Sequence, residues 1–148
     1  MMTKEKQVLT EWFEEVWHQG NEDALFRLFA EDGVAHGLED DEGRPIVGPE
    51  GYLAFLRAYR SAFPDIRFEI VDTVQEEDRV SVRCVVRGTH TGEGLGIAPT
   101  HRRVEITGMT FGVVRDGQIQ EAWNLFDFRS LMGQLAEGPL DDAPYDHA

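Results

Sequence analysis

The chain has 148 residues, which is an ordinary length for a single domain. It is 41% hydrophobic and 28% charged, a composition typical of globular rather than disordered or fibrous proteins. A formal net charge of −14 opposes binding to the phosphate backbone or to an anionic bilayer, so we expect neither nucleic acid nor membrane as a partner.

The N-terminal part is predicted to be helical. Apolar residues recur at spacings of three and four from Lys4 to His18, which predicts an amphipathic helix that ends at Gly20. A second, shorter helix is predicted from Glu22 to Phe29 on the same pattern. The chain therefore begins with two helices in close succession.

A third helix follows a short extended region. Residues 34–38 suit a strand, and the acidic, turn-forming residues 39–45 suit an exposed loop. Pro49 is favoured in a first helical turn, and Phe63-Pro64-Asp65 stops the apolar pattern, so the helix is predicted between them.

The second half of the chain is predicted to be mainly strands. Alternation of apolar and polar residues begins at Phe68 and Ile70 and continues from Val80 to Val86. A hairpin turn at residues 115–118 leads into a strand from Ile119 to Phe128. The helices then have an antiparallel sheet to cover, which predicts an α+β domain with a bent sheet and an enclosed pocket.

The strand from Arg103 to Arg115 changes parity midway. Val104 and Ile106 share one parity, whereas Met109 and Phe111 share the other, and Gly108 lies at the changeover. We therefore predict a β-bulge or sharp bend at Gly108 that turns both apolar sets inward.

A last helix through Leu131 and Leu135 closes the domain, which we place at residues 1–136. Residues 137–148 carry four acidic residues and no basic one, which predicts a mobile tail.

The sequence contains no recognisable signal for a cofactor, an anchor or secretion. Cys84 is a single cysteine between valines, so we expect an inert buried thiol rather than a nucleophile. No metal-ligand spacing such as CxxC or HExxH occurs, and no apolar run approaches the roughly 20 residues of a membrane span. We expect a cytoplasmic protein without metal or organic cofactor.

Asp127 is the strongest candidate for chemistry. It shares parity with Trp123 and Leu125, and desolvation on an apolar face would raise its pKa and make it a better general base. It also directly precedes the last helix, where an Asp side chain commonly caps free backbone N–H groups. Both interpretations stay open at this point.

Two histidines could point inward. His36 shares parity with Val34 and Leu38, and His90 continues the apolar face of Val82 to Val86. Each is a candidate functional imidazole, although the residues alone favour a hydrogen-bonded packing role for both.

Apolar side chains from several predicted elements could line a flat pocket, although such rows also build ordinary cores. The candidate pocket residues are Trp17, Tyr52, Phe55, Tyr59, Met109, Phe111, Trp123 and Leu125.

Five short segments, in this order and spacing, resemble SnoaL-like polyketide cyclases. They are Phe63-Pro64-Asp65, residues 88–93 (GTHTGE), Leu95-Gly96-Ile97, Gly108-Met109 and residues 123–127 (WNLFD). The resemblance covers nearly the whole chain. It implies the cone-shaped α+β barrel of the nuclear transport factor 2-like superfamily, with N-terminal helices on a strongly bent, mainly antiparallel sheet, and a homodimer formed through that sheet.

The resemblance also implies a cofactor-independent reaction on a hydrophobic keto substrate. Asp127 matches the aspartate that abstracts a C–H proton before intramolecular aldol ring closure, and His36 and His90 match positions that could hydrogen-bond the enolate. An isomerase or dehydratase like ketosteroid isomerase is the alternative enzyme class, and a non-catalytic protein that binds an apolar small molecule is the other alternative. An epoxide hydrolase ranks lower, because the sequence shows no Asp-Arg-Asp arrangement to position a water.

Overall fold

A computed structural model describes residues 2–136, so the predicted mobile tail at 137–148 lies outside the described residues. The helices are α1 (Lys4–Glu11), α2 (Glu22–Leu28), α3 (Gly48–Ala62) and α4 (Phe128–Leu135), and a π-helical segment, Trp12–His18, directly continues α1. The strands are β1 (Phe29–Glu39), β2 (Pro45–Val47), β3 (Arg67–Glu76), β4 (Arg79–Thr89), β5 (Arg103–Arg115) and β6 (Gln118–Phe126).

Local sequence signals explain where the first helices begin. The hydroxyl of Thr3 accepts the Lys6 N–H at the start of α1, and the side chain of Asn21 accepts the Ala24 N–H at the start of α2. Such caps satisfy backbone donors that a helix leaves free in its first turn. The prediction of one α-helix from Lys4 to His18 is wrong only in its second half, which is π-helical.

The six strands form one mixed, open sheet in the order β2-β1-β6-β5-β4-β3. Every neighbouring pair is antiparallel except β1 and β6, which run parallel. The helices cover the inner face of this sheet, and most of the buried hydrophobic residues lie between the two layers. The predicted α+β class with helices on a mainly antiparallel sheet is confirmed, although the sheet itself does not close into a complete barrel.

The bend predicted at Gly108 is wrong. β5 pairs with β4 in unbroken register from Arg103 to Val113, and the irregularity in its pairing with β6 lies at Val113/Val114. Even-numbered residues of β5 therefore point inward along most of the strand. Gly108 instead makes room for Phe126, because a Cβ at position 108 would lie 2.1 Å from a ring carbon of that residue.

Because the parity of β5 does not change, apolar residues lie on the outside of the sheet. The predictions that Met109, Phe111, Trp123 and Leu125 face a pocket are wrong: their exposed fractions are 48%, 41%, 43% and 77%. We call these four residues the outer apolar patch. The register aligns Phe111 with Trp123 and Met109 with Leu125, so the patch is continuous across β5 and β6.

Candidate functional site

A pocket with mainly aromatic walls lies between the helices and the inner face of the sheet. The space between its lining side chains is about 660 Å³ when the open solvent at its mouth is included, and about 70 Å³ of it can hold the centre of a water molecule. Its aromatic and aliphatic walls are Trp12, Phe13, Trp17, Leu38, Tyr52, Phe55, Tyr59, Phe63, Ile66, Phe68, Val86, Val104, Ile106, Phe126, Phe128 and Leu131, and Arg87 and Gly88 of β4 also line it. Of the candidate pocket residues, Trp17, Tyr52, Phe55 and Tyr59 lie in these walls.

The π-helical segment supplies part of the aromatic wall. A π-helix closes its turns with i→i+5 bonds, so residues five apart, such as Trp12 and Trp17, lie on nearly the same side. Both indoles make edge-to-face contacts with the Tyr52 ring, at centroid distances of 4.9 and 6.1 Å. The segment therefore presents both tryptophans to one pocket.

Two side chains fix the end of this segment. The guanidinium of Arg60 on α3 donates to the carbonyls of Trp17 and His18. The Nε2 of His18 accepts the backbone N–H of Phe68 at 2.8 Å, and its Nδ1 then donates to Glu14 at 2.9 Å. His18 is thus a structural residue that ties the segment to β3, a role that the sequence analysis did not predict.

The pocket offers few hydrogen-bonding side chains. Thr110 and Asn124 face it from β5 and β6, and the Thr110 hydroxyl donates to Asn124 Oδ1 at 2.9 Å. Burial raises the pKa of both Tyr52 and Tyr59, and at Tyr52 a hydrogen bond from Trp17 partly opposes that rise. These phenols stay protonated at neutral pH. Among residues 2–136, no carboxylate or imidazole lines the pocket.

The pocket runs along the inner face of β5. Val104 and Thr110 both line it, and six residues of strand correspond to roughly 20 Å. Val104 and Gly88 also border an exposed polar groove, which marks the outer end of the pocket. Thr110 and Asn124 also border a small cavity among buried core residues, which marks the inner end.

Asp127 lies beside the pocket but does not line it. Its side chain is exposed, and its Oδ1 accepts the backbone N–H of Ser130 at 3.0 Å, at the start of α4. Of the two interpretations of Asp127, the inward, desolvated position is therefore wrong, because Asp127 continues the outward parity of Trp123 and Leu125 on β6. The capping geometry that the sequence left open is the one that the structure contains.

His90 is fully buried, as predicted, but does not line the pocket. Its Nδ1 accepts the backbone N–H of Thr100 at 3.2 Å, so the proton of the neutral ring lies on Nε2, which is buried without a hydrogen-bond partner. Burial, together with the nearby His101, lowers the pKa of His90. Its ring lies 5.3 Å from that of Phe63, so one aromatic side chain separates it from the pocket.

His36 is on the outer face of the sheet, so the prediction that it points inward is wrong. Its ring stacks on Trp123 at 5.2 Å, and its Nε2 donates to Glu121 at 2.6 Å. The register of β1 against β6 pairs His36 with Trp123, which places both side chains on the same side. His36 therefore adjoins the outer apolar patch rather than the pocket.

Other candidate chemistry is limited. Cys84 is buried, and burial raises the pKa of its thiol to about 11, as expected for an inert residue. Within residues 2–136 no group of three His, Cys, Asp or Glu side chains could hold a metal ion. In the same range no helix is long and apolar enough to cross a membrane.

Sequence reasoning missed Thr110 and Asn124. Asn124 alternates with Trp123 and Leu125, so its inward position follows once those two are recognised as outward-facing. The signal in the sequence was that Asn124 shares its parity with Phe126, opposite to the parity of Trp123 and Leu125. This signal was missed because Trp123 and Leu125 are large and apolar, so their parity was taken to face inward.

Comparison with known proteins identifies the family. The family model described as SnoaL-like polyketide cyclase matches residues 7–135, which is most of the chain. The chain belongs to the SnoaL-like polyketide cyclase family. The matched residues include every helix and strand described above except the first three residues of α1.

Solved structures similar to this chain have the same fold. IdmH of Streptomyces antibioticus, a proposed polyketide cyclase, is 34% identical, with a TM-score of 0.78 over 90% of this chain and 99% of its own. AclR of Streptomyces galilaeus, a proposed hydroxylase, is 26% identical, with a TM-score of 0.77 over 97% of this chain and 87% of its own. A SnoaL-like protein of Jannaschia sp. CCS1 is 21% identical at TM-score 0.79, over 92% and 94% of the two chains, and shows the fold alone. No curated protein sequence matches.

Proposed function

We propose that this protein is a cyclase that encloses a hydrophobic polyketide in its aromatic pocket and promotes intramolecular ring closure. The observation that carries the proposal is the long pocket itself, walled by aromatic and aliphatic side chains, with Thr110, Asn124 and Arg87 as its other polar lining residues besides the tyrosines and tryptophans. Family membership and the likeness to IdmH support the same substrate class.

Ring closure in such a pocket depends mainly on folding the substrate. Holding two reacting groups of one chain in contact can supply effective molarities of roughly 10⁵ M or more. A 1,3-dicarbonyl segment enolises readily, and its enol carbon can attack a second carbonyl while the enol proton passes to the oxygen that becomes the new hydroxyl. This intramolecular aldol step conserves all atoms and needs no base in the pocket.

General-base catalysis by Asp127 is the competing mechanism, and it is the one that the family resemblance implies. To act so, the carboxylate would have to leave the Ser130 N–H and enter the pocket between Phe126 and Phe128. The observed cap and the exposure of Asp127 favour the mechanism that depends on the folded substrate.

A non-catalytic binding protein is the second candidate function. The absence of carboxylates and imidazoles from the pocket walls within residues 2–136 favours it over an isomerase or dehydratase, which needs a positioned acid or base.

Turnover separates the two functions. Linear poly-β-keto esters of increasing length are incubated with the protein, and cyclised products are measured by liquid chromatography and mass spectrometry. A cyclase gives product faster than buffer and than heat-denatured protein. A protein that binds these esters without accelerating closure is a binding protein, and the cyclase proposal then fails.

We also propose that two copies associate through the outer apolar patch, as the family resemblance implies. Val74 on β3 is 68% exposed and aligns through Ser81 with Phe111, so the apolar surface extends beyond the patch. Arg83 and Asp72 form an ion pair on the same face, with an N–O distance of 2.5 Å. An apolar centre with charged side chains at its edge is typical of a protein interface.

A further inference from the structure

We infer that the Asn124 amide is the group that recognises a carbonyl oxygen at the inner end of the substrate, and that Thr110 positions it. This inference rests on the proposed function and makes it more specific. It assigns the substrate a keto oxygen at the end that enters the pocket first, ahead of an elongated apolar body.

The hydrogen bonds of Asn124 fix which way its amide points. The backbone carbonyl of His36 can only accept, so the atom 3.0 Å from it must be Nδ2. Oδ1 then faces Thr110, whose hydroxyl must donate to it, at 2.9 Å. A flipped amide would bring two acceptors together at His36, so a single orientation remains.

This arrangement leaves one donor of Asn124 unused. Nδ2 carries two N–H groups, and the described residues provide an acceptor for only the one that faces His36. Asn124 borders the pocket, whose lining side chains apart from Thr110, Arg87 and Asn124 itself are aromatic or aliphatic. An apolar ligand would leave the second N–H without a partner, whereas a carbonyl oxygen would satisfy it.

The surroundings make this donor selective. Thr110 is 7% exposed, and the small cavity beyond it is lined mainly by core residues such as Leu9, Ile119 and Ala122. A hydrogen bond in such a medium is stronger than in water, and an unmet donor is costly. During ring closure the attacked carbonyl oxygen gains negative charge, so an N–H aimed at it stabilises the transition state more than the ground state.

The test uses a ketone and a hydrocarbon of almost the same shape, 1-tetralone and tetralin, as probes of the folded protein. Calorimetry measures the affinity for each, and the infrared stretch of ¹³C-labelled 1-tetralone reports on hydrogen bonding at its oxygen. In the wild-type protein we expect the stretch to lie below its value in hexane. That spectrum tests the inference even where a variant fails to fold.

Asn124→Leu removes the donor at similar size, and we expect it to weaken 1-tetralone binding by roughly 10-fold while changing tetralin binding by less than about twofold. Thr110→Val should cause part of the same loss, because the amide is then no longer held. Thr107→Val is the matched control on the outer face of the same strand and should change neither affinity.

An unshifted carbonyl stretch, or an Asn124→Leu protein that keeps the wild-type affinity ratio, overturns the role of Asn124 and leaves the pocket proposal standing. Failure of both probes to bind the wild-type protein contradicts the proposed function together with this inference.

Discussion

The position of Asp127 in the sequence fits two roles, and only its surroundings in the folded protein decide between them. An aspartate before a helix can cap it, and an aspartate on an apolar face can act as a base. Here the carboxylate is exposed and accepts the Ser130 N–H. The cap geometry follows from local sequence, whereas the direction of the β6 side chains also depends on pairing with β1, which lies far from β6 in the sequence.

Substitutions at Asp127 test the cap directly. Asp127→Ala should lower the free energy of unfolding by about 1 kcal/mol, whereas Asp127→Asn, also a good cap, should leave it nearly unchanged. Urea denaturation measures both values. Because the ring-closure mechanism proposed here does not use Asp127, Asp127→Asn should keep wild-type turnover within about threefold. A loss of roughly 100-fold or more would assign it the role of a general base instead.

His90 should make stability depend on pH. Its pKa is lowered in the folded protein by burial and by His101, so the unfolded chain binds a proton more readily. Its contribution is therefore fully present above the unfolded pKa of about 6.5 and is lost as pH falls below that value.

The measurement compares wild type with His90→Gln in urea denaturation between about pH 7.5 and 5. The unfolding free energy of the wild-type protein should fall more steeply on acidification. His101→Asn should reduce the steepness only slightly, because burial is the larger cause. Equal slopes for wild type and His90→Gln would show that His90 is not desolvated.

At the scale of elements, most helices and strands follow from sequence patterns, and the errors have two causes. The positions of α2, α3, α4 and the hairpin before β6 agree with the sequence analysis to within a few residues. Assigning the inward face by hydrophobicity failed for β5 and β6, because the outer face there is apolar too. The π-helical segment was missed because its apolar spacing also fits an α-helix.

Gly108 provides a test of the β5–β6 register. A Cβ at this position would lie 2.1 Å from the Phe126 ring, so Gly108→Ala must displace that ring and should destabilise the protein by about 1–3 kcal/mol. Phe126→Leu removes the clash, so the double variant should lose less stability than the two single losses added together. Thermal and urea denaturation of all four proteins measure the coupling. Additive losses would contradict the register.

At the scale of the whole molecule, the family resemblance noted in the sequence is confirmed. The candidate residues on the helical side, Trp17, Tyr52, Phe55 and Tyr59, lie in the pocket walls. The largest error of the sequence analysis was the prediction that the residues of the outer apolar patch face the pocket, and that error is informative. These apolar residues do not face the pocket, and they form the surface through which we propose that a second copy of the sheet associates.

Self-association through the patch has a simple test. Leu125→Glu introduces a charge at the most exposed residue of the patch and should convert a dimer into a monomer in sedimentation or light-scattering measurements. Phe26→Glu is the matched control, since Phe26 is 45% exposed on α2, away from the sheet. A wild-type monomer, or a Leu125→Glu dimer, would contradict this interface.

The central claim is that ring closure takes place inside the aromatic pocket, and the most direct measurement compares closure rates in two variants of β5. Ile106 lines the pocket and its neighbour Thr107 faces outward, so Ile106→Phe fills the pocket while Thr107→Phe adds the same ring outside it. Circular dichroism first verifies that both variants fold like the wild type. Closure of a linear poly-β-keto ester should then slow at least about 10-fold in Ile106→Phe, because lost positioning removes much of the rate advantage. The rate should be unchanged in Thr107→Phe. Equal rates in wild type and Ile106→Phe would mean that the reaction does not occur in this pocket.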